Sequence, residues 1–216
     1  MRTGGVRTLR YAARVFELDH RPSFHPSRCQ AHVLAQPGKA EFMHGTQNML
    51  LAIARFRSNT RETVVDVLRR AGAEVIRQPG AIPGGNGDGS IYATYLHLVD
   101  VEESWLHEGL LAEGFQDGPS PERYSDFDAI TAIWAQTSAD WISYLIEHDD
   151  SDLWAPFTNR RGQPIPSWMV AWHTFNHTTH HLAEVWTALT VAGIEPPELD
   201  PLRWASEQTW PFTTDR

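Results

Sequence analysis

Cysteine is almost absent from this chain of 216 residues. The single cysteine, Cys29, has no second cysteine with which to form an intramolecular disulfide. Disulfide frameworks belong to secreted proteins and oxidising compartments, whereas proteins of the cytoplasm keep their thiols reduced. The cysteine content therefore excludes a disulfide-stabilised module and predicts a cytoplasmic protein.

Long apolar runs are missing as well. No stretch approaches the roughly 20 apolar residues that a bilayer-spanning helix needs. The first residues lack the apolar segment and small-residue cleavage site of a secretory signal. We therefore expect no membrane span and no secretion signal.

Lysine is nearly absent too, and the charges are unevenly distributed. Lys39 is the only lysine among 18 basic residues. Residues 1–42 hold seven basic and three acidic side chains, whereas residues 43–216 hold eleven arginines against 24 carboxylates. A surface of that negative charge repels phosphate groups. Nucleic acid and anionic membranes are therefore excluded as partners.

The basic first block also differs from the rest in pattern. It has scattered prolines and little sustained apolar periodicity, so we predict that residues 1–42 are a poorly ordered leader or follow from a wrongly assigned start. Residues 43–216 are then the folded domain, and Met43 is a plausible true beginning. The alternative is a short basic targeting helix built on three arginines, Arg7, Arg10 and Arg14.

Four later segments place apolar residues at steps of three and four, which is typical of amphipathic helices. The first begins at about Met49 and is broken by Gly72 and the Gly- and Pro-rich stretch beyond it. The second is capped by Ser90 and runs to about Gly114. These two segments predict the first half of a helical domain.

The second half repeats this organisation. The third segment is capped at Ser120 or Ser125 and ends near His148. The fourth is capped by Ser167 and stops at Gly193. Between them, the stretch FTNRRGQPI has the composition of a small β-hairpin. With no strong strand pattern elsewhere, the sequence predicts an all-α fold, an antiparallel four-helix bundle.

The fourth helix carries four histidines within nine residues. At 3.6 residues per turn, His173, His177 and His181 rise along one face in steps of about 6 Å, and His180 lies on the same side. A metal ion needs at least three converging donors, so the third must come from a facing helix. His97 is the candidate, because it shares the half-buried face of the second helix. The pattern predicts a metal site.

The alternative is a wetted histidine stripe bonded to water. Uncompensated imidazoles beside Trp172, Leu182 and Trp186 would each cost roughly 1–3 kcal/mol in lost solvation. A metal ion would satisfy three of them together, so we favour the metal site.

Glu184 lies one turn beyond His181 on the same face. Its carboxylate is a candidate for a fourth ligand, for an acceptor that orients an imidazole, or for a general base toward metal-bound water. A solvated carboxylate that only flanks the site is the alternative.

Two segments carry a resemblance to the DinB-like superfamily, also described as DinB/YfiT-like metalloenzymes. The segment HLVDVEESWL resembles that family's motif of a histidine, an acid-rich stretch and Trp-Leu. The segment HTFNHTTHHLAEV resembles its H-x-x-N-H-x-x-x-H motif, and the ending IEPPELD is typical of the family. The resemblance covers most of residues 43–203.

The resemblance implies an up-down-down-up bundle, commonly dimeric. It implies a divalent metal, usually zinc or nickel, on His97, His177 and His181 with water completing the coordination. His173 and His180 would then support the ligands or line a cofactor pocket. One departure concerns the glutamine of many members, since this chain has Glu184 there, which adds negative charge to the site.

The resemblance also implies a range of chemistry. Relatives include thiol-dependent S-transferases and isomerases that use bacillithiol or mycothiol. An open metal position lowers the pKa of a bound thiol or water. We therefore expect a metal-dependent transferase or hydrolase with a small-molecule substrate, Glu184 as its catalytic carboxylate, and a low-molecular-weight thiol such as mycothiol as a second cofactor.

Two other functions share this architecture. The first is a non-catalytic, stress-associated homodimer in which the ion only joins two helices. The second, a di-iron carboxylate bundle, needs Glu-x-x-His pairs. It is disfavoured, because the histidine helix has the reverse order, His181-x-x-Glu184.

Overall fold

The structure is a computed structural model. Nearly all of the predicted leader, residues 1–42, lies outside the part of the chain that it describes. The described residues are 39–113, 124, 126–159 and 161–207.

Four long helices form the body of the described protein. The second of these helices in chain order is followed, without a break, by a π-helical segment, Ser104–Leu110. The long helices are α1 (Lys39–Ile76), α2 (Ile91–Glu103), α3 (Phe127–Glu147) and α5 (Ser167–Val191).

Shorter elements join and follow these helices. They are α4 (Asp150–Trp154), β1 (Pro156–Thr158), β2 (Pro164–Pro166) and α6 (Pro201–Glu207). The two strands pair antiparallel, with Phe157 opposite Ile165. The predicted hairpin is confirmed.

Helix α1 runs antiparallel to α3. Near the start of α1, the side-chain amide of Gln47 donates to the carbonyl of Leu145 late in α3, at 2.8 Å. Near the end of α1, Arg69 pairs with Asp128 in the first turn of α3, also at 2.8 Å.

Helices α2 and α3 run parallel. The rings of Tyr95 and Phe127, both early in their helices, stack at 5.3 Å. Later in both helices, the indole of Trp141 donates to the carbonyl of Glu102 at 3.1 Å. Helix α5 runs antiparallel to α2 and completes a ring in the order α1, α3, α2, α5. The bundle is therefore up-down-down-up, and the predicted all-α four-helix fold is confirmed.

The apolar core consists of two clusters along the bundle axis. One surrounds Leu98 and Trp134, and the other surrounds Trp141 and Phe175. Glu102 lies between them and bonds to both tryptophans. A polar layer thus crosses the middle of the bundle.

Two of the predicted helix boundaries are confirmed. The hydroxyl of Ser90 accepts from the amide of Ala93 at 3.0 Å and caps α2. Beyond α5, Gly193 adopts φ 78°, and the amide of Ile194 returns to the carbonyl of Leu189 at 2.9 Å. These bonds form the Schellman motif that ends many helices.

The cap predicted for α3 was wrong. Asp126 is the cap, because its carboxylate accepts from the amide of Ala129 at 2.8 Å. Ser120 and Ser125, the predicted caps, lie outside the described residues. Aspartate and serine are equally good caps, so neighbouring candidates compete.

The cap predicted for the histidine helix was also wrong. Ser167 is the first residue of α5, which begins without a side-chain cap. Its hydroxyl donates instead to the carbonyl of Ala155, at 3.2 Å. The residue that ends α4 thus takes the hydroxyl that local sequence alone would assign to the helix.

Helix α1 begins well before Met49, where the apolar stripe starts. Tertiary contacts hold the part of this extension at Thr46 and Gln47. The amide of Gln47 donates to the carboxylate of Asp150 at 2.6 Å, and the indole of Trp154 donates to the hydroxyl of Thr46 at 3.3 Å. Gly72, with φ 82°, kinks the helix where a break was predicted.

None of the helices among the described residues combines the length and apolar character needed to cross a membrane.

Candidate metal centre

The histidine of α2 faces the histidines of α5. His97 is half-buried, and its ring centroid lies 5.0 Å from that of His177 and 4.9 Å from that of His181. The antiparallel crossing of α2 and α5 brings residues far apart in sequence to one level. The second helix thus supplies the third imidazole of the predicted set.

The two histidines of α5 lie one helical turn apart on one face. Their ring centroids are 4.4 Å apart, and the two Nε2 atoms approach to 3.1 Å. One nitrogen from each of His97, His177 and His181 lies within 4.8 Å of the others.

Two members of this donor set have the spacing that a divalent ion requires. Zinc binds imidazole nitrogen at 2.0–2.1 Å in tetrahedral geometry, which separates two donors by about 3.3 Å. The distance between the Nε2 atoms of His177 and His181 is 3.1 Å. The pair from α5 is therefore already at the spacing that an ion requires.

Burial keeps the imidazoles of His97 and His177 unprotonated. It is the main cause that lowers the pKa of His97 to about 4, and the nearby charge of His181 lowers that pKa further. Burial also lowers the pKa of His177 to about 3, assisted by the surrounding histidines. Neutral imidazole is the form that binds metal, so neither ring must lose a proton at neutral pH.

Glu184 contacts the side of His181 that faces away from the other rings. One carboxylate oxygen lies 2.7 Å from Nδ1 of His181, and the other lies 3.4 Å from Nε2 of His180. An Nδ1–H that donates to this carboxylate leaves Nε2 of His181 as the free acceptor directed at His177.

The remaining histidines of the helix flank the three-imidazole group. His173 is exposed, and its ring lies 6.0 Å from that of His177 and 5.7 Å from the indole of Trp105. His180 is also exposed, with its ring 5.0 Å from that of His181. These two side chains border the open side of the site.

The sequence did not lead us to predict that Glu102 lies near the site. Its side chain is only 2% exposed and lies behind the histidines in the middle of the bundle. The signal was present, because Glu102 is four residues from both Leu98 and Leu106. Those two leucines are fully buried, so an acid on their stripe must be buried too.

The model of the DinB family matches residues 48–212, which include all the histidines of the site. No curated protein gives a significant match to the chain.

Proposed function

The chain belongs to the DinB family, and on that premise we propose that it is a divalent-metal-dependent enzyme. Its reaction is a thiol-dependent S-transfer or a hydrolysis at an ion held by His97, His177 and His181. Zinc or nickel is the metal, and the substrate is a small molecule.

The observation that carries this proposal is a set of three imidazoles without a fourth donor. Among the described residues, no further histidine, cysteine or carboxylate groups with all three of His97, His177 and His181; His180 and Glu184 group with His181 alone. Structural zinc sites use four protein ligands, whereas catalytic sites use three and leave one position open. The donor count therefore supports catalysis over a purely structural ion.

When bound, the metal supplies a Lewis acid that lowers the pKa of a coordinated thiol or water. The protein's residues supply the setting for that chemistry. Glu184 holds the imidazole of His181 in one tautomer, and its second oxygen faces His180. The catalytic role proposed for Glu184 is to accept, by way of the exposed imidazole of His180, the proton released from a thiol or water.

The surroundings of the site suit a small polar cofactor. His173 and His180 are exposed at its border, and the indole of Trp105 lies beside His173. Imidazole nitrogens and an indole face offer hydrogen bonds and stacking to a sugar-bearing thiol such as mycothiol. The resemblance to thiol-dependent relatives supports this cofactor, and it also supports a homodimer in the cytoplasm.

Elemental analysis of protein purified without an affinity tag tests the first requirement. We expect about one equivalent of zinc or nickel per chain in the wild type and near-complete loss in His177→Ala. His148→Ala is the matched control, because the ring of His148 stacks on Tyr144 at 4.0 Å, away from the site. Equal metal content in all three proteins would refute the assigned ligands.

Cobalt substitution then separates catalysis from a structural role. We expect the visible spectrum of the cobalt protein to change on addition of mycothiol or a simpler thiol, because the thiol enters the open position. We also expect thiol transfer or hydrolysis to disappear in His177→Ala. A spectrum indifferent to thiols, together with no thiol transfer or hydrolysis by the wild type, would favour the non-catalytic homodimer.

A further inference from the structure

A buried carboxylate connects all four long helices beside the metal centre. Glu102 of α2 accepts from the guanidinium of Arg57 in α1 and from the indole of Trp134 in α3 at 3.1 Å. It also accepts from the hydroxyl of Thr178 in α5, at 2.5 Å. Each side chain in this group is buried or nearly so.

Thr178 makes this group relevant to the metal site. It follows His177 directly in the chain, and it is 1% exposed. A threonine inside a helix usually bonds the carbonyl four residues earlier. Here that bond, to Thr174, is long at 3.3 Å, whereas the bond to Glu102 is short. The hydroxyl of Thr178 thus bonds mainly to Glu102 on α2, the helix that also carries His97.

No covalent bond joins α2 to α5 near the site, so noncovalent contacts set the separation of the two helices. That separation sets the distance from His97 to His177 and His181. A bond to a charged acceptor is shorter and about twice as strong as a neutral one. The bond between Thr178 and Glu102 is therefore well suited to hold the two helices in register at the level of the ion.

We propose that Glu102 is a positioning residue for the metal centre, acting through Thr178 on His177. Arg57 neutralises the carboxylate, and Trp134 limits its rotation, so the acceptor presents a fixed oxygen to α5. Buried ion pairs contribute little net stability compared with apolar side chains, and their better-supported role is to specify one arrangement. This inference rests on the proposed function, because it assumes that the three histidines bind metal.

The test removes one hydroxyl at a time from α5. Thr178→Val deletes the bond to Glu102 and nearly preserves side-chain volume. Thr174→Val is the matched control, because Thr174 is fully buried on the same helix and its hydroxyl bonds, among the described residues, to Val170 of that helix at 2.9 Å. Thr178→Ser restores the hydroxyl.

Cobalt affinity is measured by chelator competition, together with the visible spectrum of each cobalt protein. We expect Thr178→Val to weaken cobalt binding by about tenfold or more and to shift the spectrum, as losses of outer hydrogen bonds do at metal sites. Thr174→Val and Thr178→Ser should stay within about threefold of the wild type and keep its spectrum.

Glu102→Gln provides a second measurement on the acceptor itself. It should reproduce the spectral shift of Thr178→Val, with unfolding of the metal-free proteins followed separately to detect a loss of fold. Equal affinity and equal spectra for Thr178→Val and Thr174→Val would overturn the inference and leave the proposed function standing. A wild-type protein that binds no cobalt would overturn both.

Discussion

At the scale of single residues, the contact between Glu184 and His181 decides how the imidazole of His181 is oriented. We predict that Glu184→Gln weakens metal binding by about 10–100-fold, because the imidazole loses the charged acceptor of its Nδ1–H. Chelator competition with the wild type and the variant measures this change.

The control for that substitution is Glu207→Gln. Glu207 forms an exposed pair with Arg203 at 3.3 Å, so the same chemical change there should leave metal affinity unaltered. Matching affinities for both variants would show that Glu184 does not orient the ligand.

The lowered pKa values of two histidines predict the acid sensitivity of the metal-free protein. An ordinary histidine has a pKa of 6.5, whereas His97 titrates at about 4 and His177 at about 3 in the folded chain. Below pH 6.5 the unfolded chain takes up protons that the folded chain does not. Stability contributed by these groups is therefore complete above pH 6.5 and is lost as the pH falls toward 4 and 3.

Denaturant unfolding in the presence of a chelator, at pH values from 7.5 to 4.5, measures this effect. We expect the free energy of unfolding to fall with pH less steeply in His177→Gln than in the wild type, because one of the two groups is gone. Identical pH dependence in the two proteins would contradict the assigned cause.

At the scale of elements, replacement of glycine by alanine should have opposite effects on stability at two positions. Gly193 ends α5 with φ 78°, a conformation that costs a side-chain-bearing residue about 1–2 kcal/mol. Gly45 lies inside α1 and would meet no atom within 4 Å if given a Cβ. We predict that Gly193→Ala destabilises by about 1 kcal/mol and that Gly45→Ala stabilises by about 0.5–1 kcal/mol.

Thermal or denaturant unfolding of the two variants tests the signs. Each serves as the control for the other, because both add one methyl group to an open position. A shift of the same sign in both would mean that backbone conformation does not govern these sites.

The π-helical segment after α2 is an element that periodicity did not reveal. Ser104–Leu110 follows α2 directly and carries Trp105, which contacts His173, and Leu106, which is fully buried. A wider helical turn rotates side chains relative to an α-helix, and such turns often occur at functional sites. Apolar spacing alone cannot separate the two helix types over seven residues.

At the scale of the whole molecule, the described contacts predict which part of the chain folds. The bonds that close the bundle begin at Thr46 and Gln47, and all the histidines of the site follow them. We predict that a chain beginning at Lys39 keeps the cobalt stoichiometry of the full protein and its free energy of unfolding within about 0.5 kcal/mol.

Circular dichroism during denaturation and a cobalt titration measure both quantities. A shorter chain that begins at Leu51 is the control, since it lacks Gln47 and the fully buried Leu50. It should lose stability by about 2 kcal/mol or more. Loss of cobalt binding in the chain that begins at Lys39 would show that residues 1–38 take part in the site.

Much of the architecture could be predicted from the sequence alone. Local sequence patterns were sufficient where the residues of a single segment determine its structure. Ser90 caps α2, Gly193 ends α5, and the hairpin forms where its turn residues predicted it. The histidines of α5 share one face because helical period alone aligns them.

The features that the sequence did not predict depend on contacts between residues that are far apart along the chain. The part of α1 at Thr46 and Gln47 contacts Trp154 and Asp150. The hydroxyl of Ser167 donates to the carbonyl of Ala155, at the end of α4. Glu102 bonds to three other helices, a set that no local pattern specifies. Helical periodicity reports which face a residue occupies, whereas the crossing of α2 and α5 decides which imidazoles meet, because long-range packing sets the distance between faces.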